Sequence, residues 1–166
     1  MRIGLNATCF NNRPSGAKQR FLGLYGSLFD QMPEAEFVVF EPKDIEINTW
    51  FKNRSNVSFE KTIIPCEGRV QKLFIGLIFW KKYLLDQQLD FFEGFNLPSF
   101  SNPCGKTFHT IHDIRGTHKE FSSWEHLISR PAHKKFIAKT DSVITVSETM
   151  KNEILNLCPD SKIYVI

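Results

Sequence analysis

The chain has 166 residues, with 21 Lys+Arg against 18 Asp+Glu and a formal net charge of +3. That length forms one soluble domain whose core needs no disulfide or metal staple. So small a charge excludes a dedicated nucleic-acid binder, which needs a clustered basic face, and 42% hydrophobic with 23% charged residues excludes disorder.

From the N-terminus, Arg2–Ala7 reads as a short buried strand, followed by a polar loop through Asn11, Asn12, Pro14, Ser15 and Gly16. From Lys18 the apolar residues Phe21, Leu22, Leu24, Tyr25, Leu28 and Phe29 recur at helical spacing, and Pro33 ends the helix. Phe37–Phe40, closed by Glu41-Pro42, and Val57–Ile64, closed by Pro65, read as strands. The longest helical pattern runs from Gly68 to Leu89. Val70, Leu73, Phe74, Leu77, Ile78, Leu84 and Leu85 form its apolar, core-facing side; Arg69, Lys72, Lys81, Lys82 and Gln88 form the other. Asp90–Phe95 reads as a strand ending in Asn96, with Pro98 and Pro103 marking a loop. Lys106–Ile111 is a strand running into His112-Asp113, and Arg130–Thr140 a basic helix. Ser142–Val146 is a strand, Ser147 an N-cap and Glu148–Leu157 a helix, after which Lys162–Ile166 begins another strand. A strand with nothing beyond it to cap it leads us to expect that the native chain continues past Ile166.

Strands alternating with helices predict an α/β fold: a Rossmann-like, doubly wound, mainly parallel sheet with helices on both faces. Cys9, Cys66, Cys104 and Cys158 lie far apart without metal-site spacing and read as free thiols in a reducing compartment. The N-terminus lacks the apolar core of a signal peptide, and the longest apolar run, Leu73 to Trp80, is less than half a membrane span. A cytoplasmic protein is expected, with the Asn-x-Ser/Thr matches at Asn6, Asn53 and Asn56 arising by chance.

In open α/β sheets ligands sit at the carboxyl ends of strands. Three clusters follow strands: Thr8–Arg20, Phe95–Pro98 with Asn96, and His112–His118 with Asp113 and Arg115. In the first, Ser15-Gly16 opens a helix beside Lys18 and Arg20, an arrangement that could hold a phosphate on free backbone N–H groups. The competing reading is a turn glycine with two solvated cations. His109 and His112 leave their strand on opposite faces, so they do not share a metal. His112 reads either as an imidazole facing the cleft, able to bind a hydroxyl or phosphate or to move a proton, or as a loop cap held through Asp113. His118, His126 and His133 are expected on the solvated surface. A serine hydrolase is excluded because no Gly-x-Ser-x-Gly elbow is present. A phosphorylation receiver is excluded because Asn6-Ala7-Thr8 supplies no acidic pair.

Four segments in order carry a resemblance: Met1-Arg2-Ile3-Gly4-Leu5-Asn6-Ala7; Ser15-Gly16-Ala17-Lys18-Gln19-Arg20-Phe21; Thr110-Ile111-His112-Asp113; and Asp141-Ser142-Val143-Ile144-Thr145-Val146-Ser147-Glu148. Together they resemble the N-terminal half of family-4 glycosyltransferases, from Met1 to Ile166. The resemblance implies one half of a GT-B fold: an acceptor-side Rossmann-like domain over residues 1–166, with the donor-binding domain outside them. It also implies a retaining enzyme that transfers a sugar from a nucleotide-sugar donor to a glycan or lipid-linked acceptor, with no cofactor or metal. Gly16, Lys18 and Arg20 would then lie near the donor diphosphate. His112 and Asp113 would be the catalytic pair beside the transferred sugar, and Asn96, Arg115, Ser147 and Glu148 would contact substrate at the cleft edge. The family loop commonly reads Gly-Gly-Ile/Val-Gly-Arg-Tyr, whereas this chain has one glycine and its arginine displaced by one. Two other readings compete. One is a stand-alone flavodoxin-like binding module without catalysis; the other is a peripheral membrane contact through Arg69, Lys72, Lys81, Lys82 and Trp80.

Overall fold

The structure, a computed structural model, describes residues 1–95, 100–114 and 123–166. In chain order the elements are β1 (Arg2–Asn6), α1 (Gly16–Gln31), β2 (Glu36–Glu41), a 3-10 turn (Ile47–Trp50), β3 (Val57–Lys61), α2 (Arg69–Gln87) and β4 (Phe91–Phe95). They continue with β5 (Lys106–Ile111), α3 (Ser123–Ile137), β6 (Ser142–Thr145), α4 (Glu148–Leu157) and β7 (Ile163–Val165). The strand order is β3-β2-β1-β4-β5-β6-β7. That is the 3-2-1-4-5-6 order of dinucleotide-binding folds with one strand added, so the expected Rossmann-like α/β class is the observed one. The chain divides into two compact units, Met1–Glu93 with Asn102–Gly105, and Gly94–Ser101 with Lys106–Ile166.

In the first unit β2 pairs in parallel with β1 (Leu5↔Val39) and with β3 (Phe37↔Val57). Phe37 and Phe40 differ in parity and so face opposite sides of the sheet. Phe29 of α1 packs on Phe37 at 4.8 Å between ring centroids, and Trp80 of α2 packs on Phe40 at 5.2 Å. The two helices therefore cover opposite faces of β2. At Gly4 a Cβ would run into Leu89 and lie 2.9 Å from the Phe40 ring, so the aromatic layer closes directly on the β1 backbone. At Gly105 a Cβ would meet the carbonyl oxygens of Leu89 and Asp90, backbone atoms that cannot rotate away.

In the second unit β6 pairs in parallel with β5 (His109↔Val143, Ile111↔Thr145) and with β7 (Val143↔Ile163). Ile111, Ile114, Ile137, Val143, Ile154 and Leu157 form its core, joining α3 and α4 to the strands. The start of β5 is fixed by Asp141, whose carboxylate accepts from Thr107 N at 2.8 Å and from Lys106 Nζ at 3.0 Å. These donors hold its pKa below the usual carboxylate range.

Three sequence expectations need correction. The strand read as Val57–Ile64 stops at Lys61, because Thr62 sends both its N–H and its hydroxyl to the Glu41 carbonyl and turns the chain. The helix read as Arg130–Thr140 spans Ser123–Ile137, with Pro131 inside it. Proline resembles a helix start, but inside a helix it removes only one intrahelical donor, and burial of Ile137 against the second core holds the element in place. The third correction concerns α2. Phe74, Leu77, Ile78 and Leu85, expected to face the core, are exposed, whereas Trp80, expected beside the surface lysines, is buried with Leu84. The indole packs against both Phe40 and Phe92, and that large aromatic contact sets the rotation of the helix.

Gly105→Ala should cost about 3 kcal/mol or more, the upper range for overpacking, because the obstructing atoms are backbone. Urea unfolding of the variant beside wild type checks this; an unchanged midpoint would contradict the close approach.

Candidate functional site

In the first unit the site begins where β1 ends. Asn6 is buried, and its Oδ1 accepts from the Thr8 hydroxyl at 2.7 Å and from Thr8 N at 3.2 Å, turning the chain out of the sheet. A second turn of the same kind follows, with Arg13 N donating to Asn11 Oδ1. Ser15 then caps α1, its hydroxyl accepting from Lys18 N at 3.1 Å. Helix geometry leaves the N–H groups of Gly16 and Ala17 without intrahelical acceptors. Gly16 is the first helical residue, and its φ is not positive. A Cβ there would meet nothing within 4 Å. Neither backbone conformation nor packing therefore demands glycine at this exposed position. Lys18 turns back over the loop, its Nζ 3.3 Å from the Asn11 carbonyl and 3.6 Å from the Trp50 ring centre.

Arg20, half-buried, lies close enough to Tyr25 to act on its phenol. Tyr25 is buried and donates its hydroxyl hydrogen bond to buried Glu93 of β4. Burial and the Glu93 charge push the Tyr25 pKa well above its usual value, so the phenol stays protonated. Arg20 Nη2 is buried and has no hydrogen-bond partner among the described residues. Sequence reading missed the Tyr25–Glu93 pair. Its one signal was an acid at the centre of Phe91-Phe92-Glu93-Gly94-Phe95. Desolvation pushes the thiol of Cys9, in the same loop, up to about 12, which disfavours the thiolate.

In the second unit the ends of β5 and β6 are tied together, Thr145 Oγ1 donating to the Ile111 carbonyl at 3.2 Å. His112-Asp113 and Val146-Ser147-Glu148 thus leave the carboxyl ends of neighbouring parallel strands. His112 and Asp113 are half-buried, and buried Ile114 anchors the chain after them in the core. The Ser147 hydroxyl caps α4 by accepting from Met150 N at 3.2 Å, and exposed Glu148 pairs with Lys151. Asn96, Arg115 and His118 lie outside the described residues.

His133 is not the solvated surface residue that was expected. It is half-buried, its Nδ1 lies 2.8 Å from the Ser129 carbonyl, and burial lowers its pKa against the opposing pull of that carbonyl and of Asp113. On β5, His109 is wholly buried, its ring against Gly94 and neither nitrogen hydrogen-bonded among the described residues. Burial, aided by His133, pushes its pKa down to about 3. Two open depressions of about 430 and 360 Å³ lie elsewhere, one between α1 and Trp50–Arg54, the other around the amino end of β6. Neither is lined by a residue expected from the sequence to be catalytic or to bind substrate.

These observations define the class as a Rossmann-like α/β domain with polar loops at the carboxyl ends of β1, β5 and β6. No protein-family model matches the chain, and no curated protein sequence does. Among solved structures it is similar to the Bordetella bronchiseptica enzyme WbmH, a crystal structure in complex with NAD+, at 10% identity and a TM-score of 0.45. The match covers 87% of this chain and 55% of that one, so the chain spans about half the length of that enzyme. A likeness this distant carries nothing about chemistry, and the fold class rests on strand order and register.

His109 gives the fold an acid-sensitive element. Its folded pKa of about 3 lies below its ordinary 6.5, so the unfolded chain takes up a proton that the folded one refuses. Stability is therefore full above about pH 6.5 and falls by about 1.4 kcal/mol per pH unit as the pH drops toward 3. His133 acts in the same direction. His109→Leu should flatten this slope in urea unfolding between pH 6.5 and 4; an unaltered slope would contradict the assignment.

Proposed function

We propose that residues 1–166 are the acceptor-side domain of a retaining, GT-B-type glycosyltransferase related to family 4. It would transfer a sugar from a nucleotide-sugar donor to a glycan or lipid-linked acceptor, and the donor-binding domain would lie outside these residues. The observation that carries this reading is where the resembling motifs fall. Thr110-Ile111-His112-Asp113 and Thr145-Val146-Ser147-Glu148 occupy the carboxyl ends of two neighbouring parallel strands, the side on which sheets of this class place ligands.

In this reading the Gly16 and Ala17 N–H groups face the diphosphate of the donor, and the open space at Gly16 lets phosphate oxygens approach the backbone. His112 hydrogen-bonds the transferred sugar or the acceptor hydroxyl. Asp113, near His133, fixes the loop that presents it. Ser147 serves by capping α4 and shaping the loop, since its hydroxyl already accepts the Met150 bond. Arg20 lies beside the Tyr25–Glu93 pair and gives the loop a positive charge from beneath. A helix N-terminus contributes about 1 kcal/mol toward an anion, whereas micromolar affinity takes about 8 kcal/mol. This half therefore holds a nucleotide sugar weakly by itself.

Two substitutions separate function from folding. In the enzyme containing this chain, His112→Ala should lower the release of nucleoside diphosphate from donor plus acceptor by about tenfold or more, the usual scale for a positioned acid–base or hydrogen-bonding imidazole. Gly16→Ala should leave thermal stability unchanged or raised, because alanine favours the helix, while weakening donor use. Unchanged turnover in both variants would contradict the proposal, and a binding module without catalysis would show no turnover at all.

A further inference from the structure

The depression of about 430 Å³ beside α1 has two walls, and both are held in place by contacts inside the first unit. Leu22, Gly26 and Asp30 recur every four residues and so share one face of α1, while Trp50, Asn53 and Arg54 belong to the opposite wall. That second wall is fixed to the core. Asn48 N donates to Glu41 Oε1 at 2.6 Å and holds the 3-10 turn, and Phe51 packs against Phe21, Phe29 and Phe59 at ring separations of 5.7, 5.3 and 6.1 Å. Arg54 then joins the walls. Its Nε and Nη2 donate to the two oxygens of Asp30 at 2.6 and 2.8 Å, Nη2 also to the Gly26 carbonyl at 3.1 Å, and Nη1 to the Lys52 carbonyl at 3.2 Å. A guanidinium has five N–H donors, so these bonds leave one on Nη1. The hydrogen bonds from Arg54 hold the Asp30 carboxyl below the usual carboxylate range, and its side chain is 66% exposed, so its remaining lone pairs are open to a ligand.

We propose that this depression binds a neutral glycan chain, with a sugar ring seated against Trp50 and its hydroxyls held by Asp30, Asn53 and Arg54. Its size lies within the range of small-molecule sites, about 300–1,000 Å³. The chemistry of the walls selects the ligand. A pyranose has an apolar C–H face and a rim of hydroxyls, each both donor and acceptor; an indole supplies a flat apolar surface, and a carboxylate, an amide and a guanidinium supply acceptors and donors. Lys18 stacks on the Trp50 ring at 3.6 Å but forms no part of the depression, so the lysine leaves that ring a surface within it. The charges of Asp30 and Arg54 cancel, which leaves Lys52 alone and gives an ion little to bind. Gly26 adds a separate indication. Its φ is not positive, and a Cβ there would only touch the Phe51 ring at 4.0 Å, so neither backbone conformation nor packing requires glycine inside this helix, where it is unfavourable. The missing side chain keeps the depression open along the helix backbone. Because Arg54 already joins both walls, a ligand finds its polar groups in place and binding does not have to order them.

This site is separate from the strand-end loops and does not rest on the transferase reading. The test contains no nucleotide sugar and measures no turnover, so its outcome and that of the transferase assay are independent. The 166-residue chain is titrated with maltohexaose, cellohexaose and mannohexaose and followed by amide-resolved NMR. At least one of the three should give saturable shifts at the Trp50 indole N–H and at the amides of Gly26 and Asn53, with Gly16 and His112 unmoved. Asn53→Ala, at an exposed position, should weaken that binding about fivefold, the scale of one lost hydrogen bond. Trp50→Ala should weaken it about tenfold or more, through the apolar contact it removes, and Gly26→Leu should abolish it by filling the depression. If the Trp50 or Gly26 variant lowers the melting temperature, the Asn53 variant decides. Absence of shifts at these residues with all three oligosaccharides, or shifts indifferent to Asn53→Ala, would overturn the proposal. So would shifts confined to the strand-end loops, or shifts in the depression with uridine monophosphate and none with the sugars, because the depression would then not be a glycan site.

Discussion

Everything in the first unit depends on how closely aromatic side chains approach the backbone of β1. Gly4 has no side chain, so Leu89, Phe40 and Phe92 close directly over the strand, and Phe40 in turn seats Trp80. This contact fixes α2 on one face of the sheet, as Phe29 on Phe37 fixes α1 on the other. A strand held from both sides ends at a defined point. The Asn6–Thr8 turn therefore leaves the sheet at a fixed position, and the Ser15 cap starts α1 at a fixed distance beyond it. The chain has 16 Phe against 3 Tyr and 3 Trp, and this packing shows what many of them do: they fill both faces of the sheet without bringing polar atoms that would need partners.

The second unit reaches a similar end by smaller means. An aliphatic core seats α3 and α4, and the Thr145–Ile111 hydrogen bond levels the ends of two strands. Ser147 then opens α4 as Ser15 opens α1, each hydroxyl accepting from the backbone N–H three residues on. The recurrent unit is a parallel strand, a short polar loop, a serine cap and a helix whose first N–H groups are free. That unit suits anions and sugar hydroxyls, and it is the physical ground on which the transferase reading stands.

Much of this was legible in the sequence. Apolar runs located the strands, and Ser15 and Ser147 marked helix starts, because capping is a local interaction written in adjacent residues. What was not legible depended on contacts distant in sequence. The rotation of α2 was read the wrong way because large apolar residues lie on its exposed side as well as its buried one, and the seating of Trp80 on Phe40 and Phe92 decides which side turns inward. The Tyr25–Glu93 pair joins residues 68 positions apart. His109 and His112 look alike in sequence, yet strand parity sends the first into the core.

The central claim is that the loops at the strand ends, and no other surface of this chain, face a nucleotide sugar. An amide-resolved NMR titration of the chain with millimolar UDP-glucose and GDP-mannose tests it most directly. The account predicts small, fast-exchange shifts at Gly16 and Ala17 and around His112 and Ser147 for at least one donor, far from saturation. Shifts confined to the depression lined by Trp50–Arg54, or none at the strand-end loops with either donor, would contradict it.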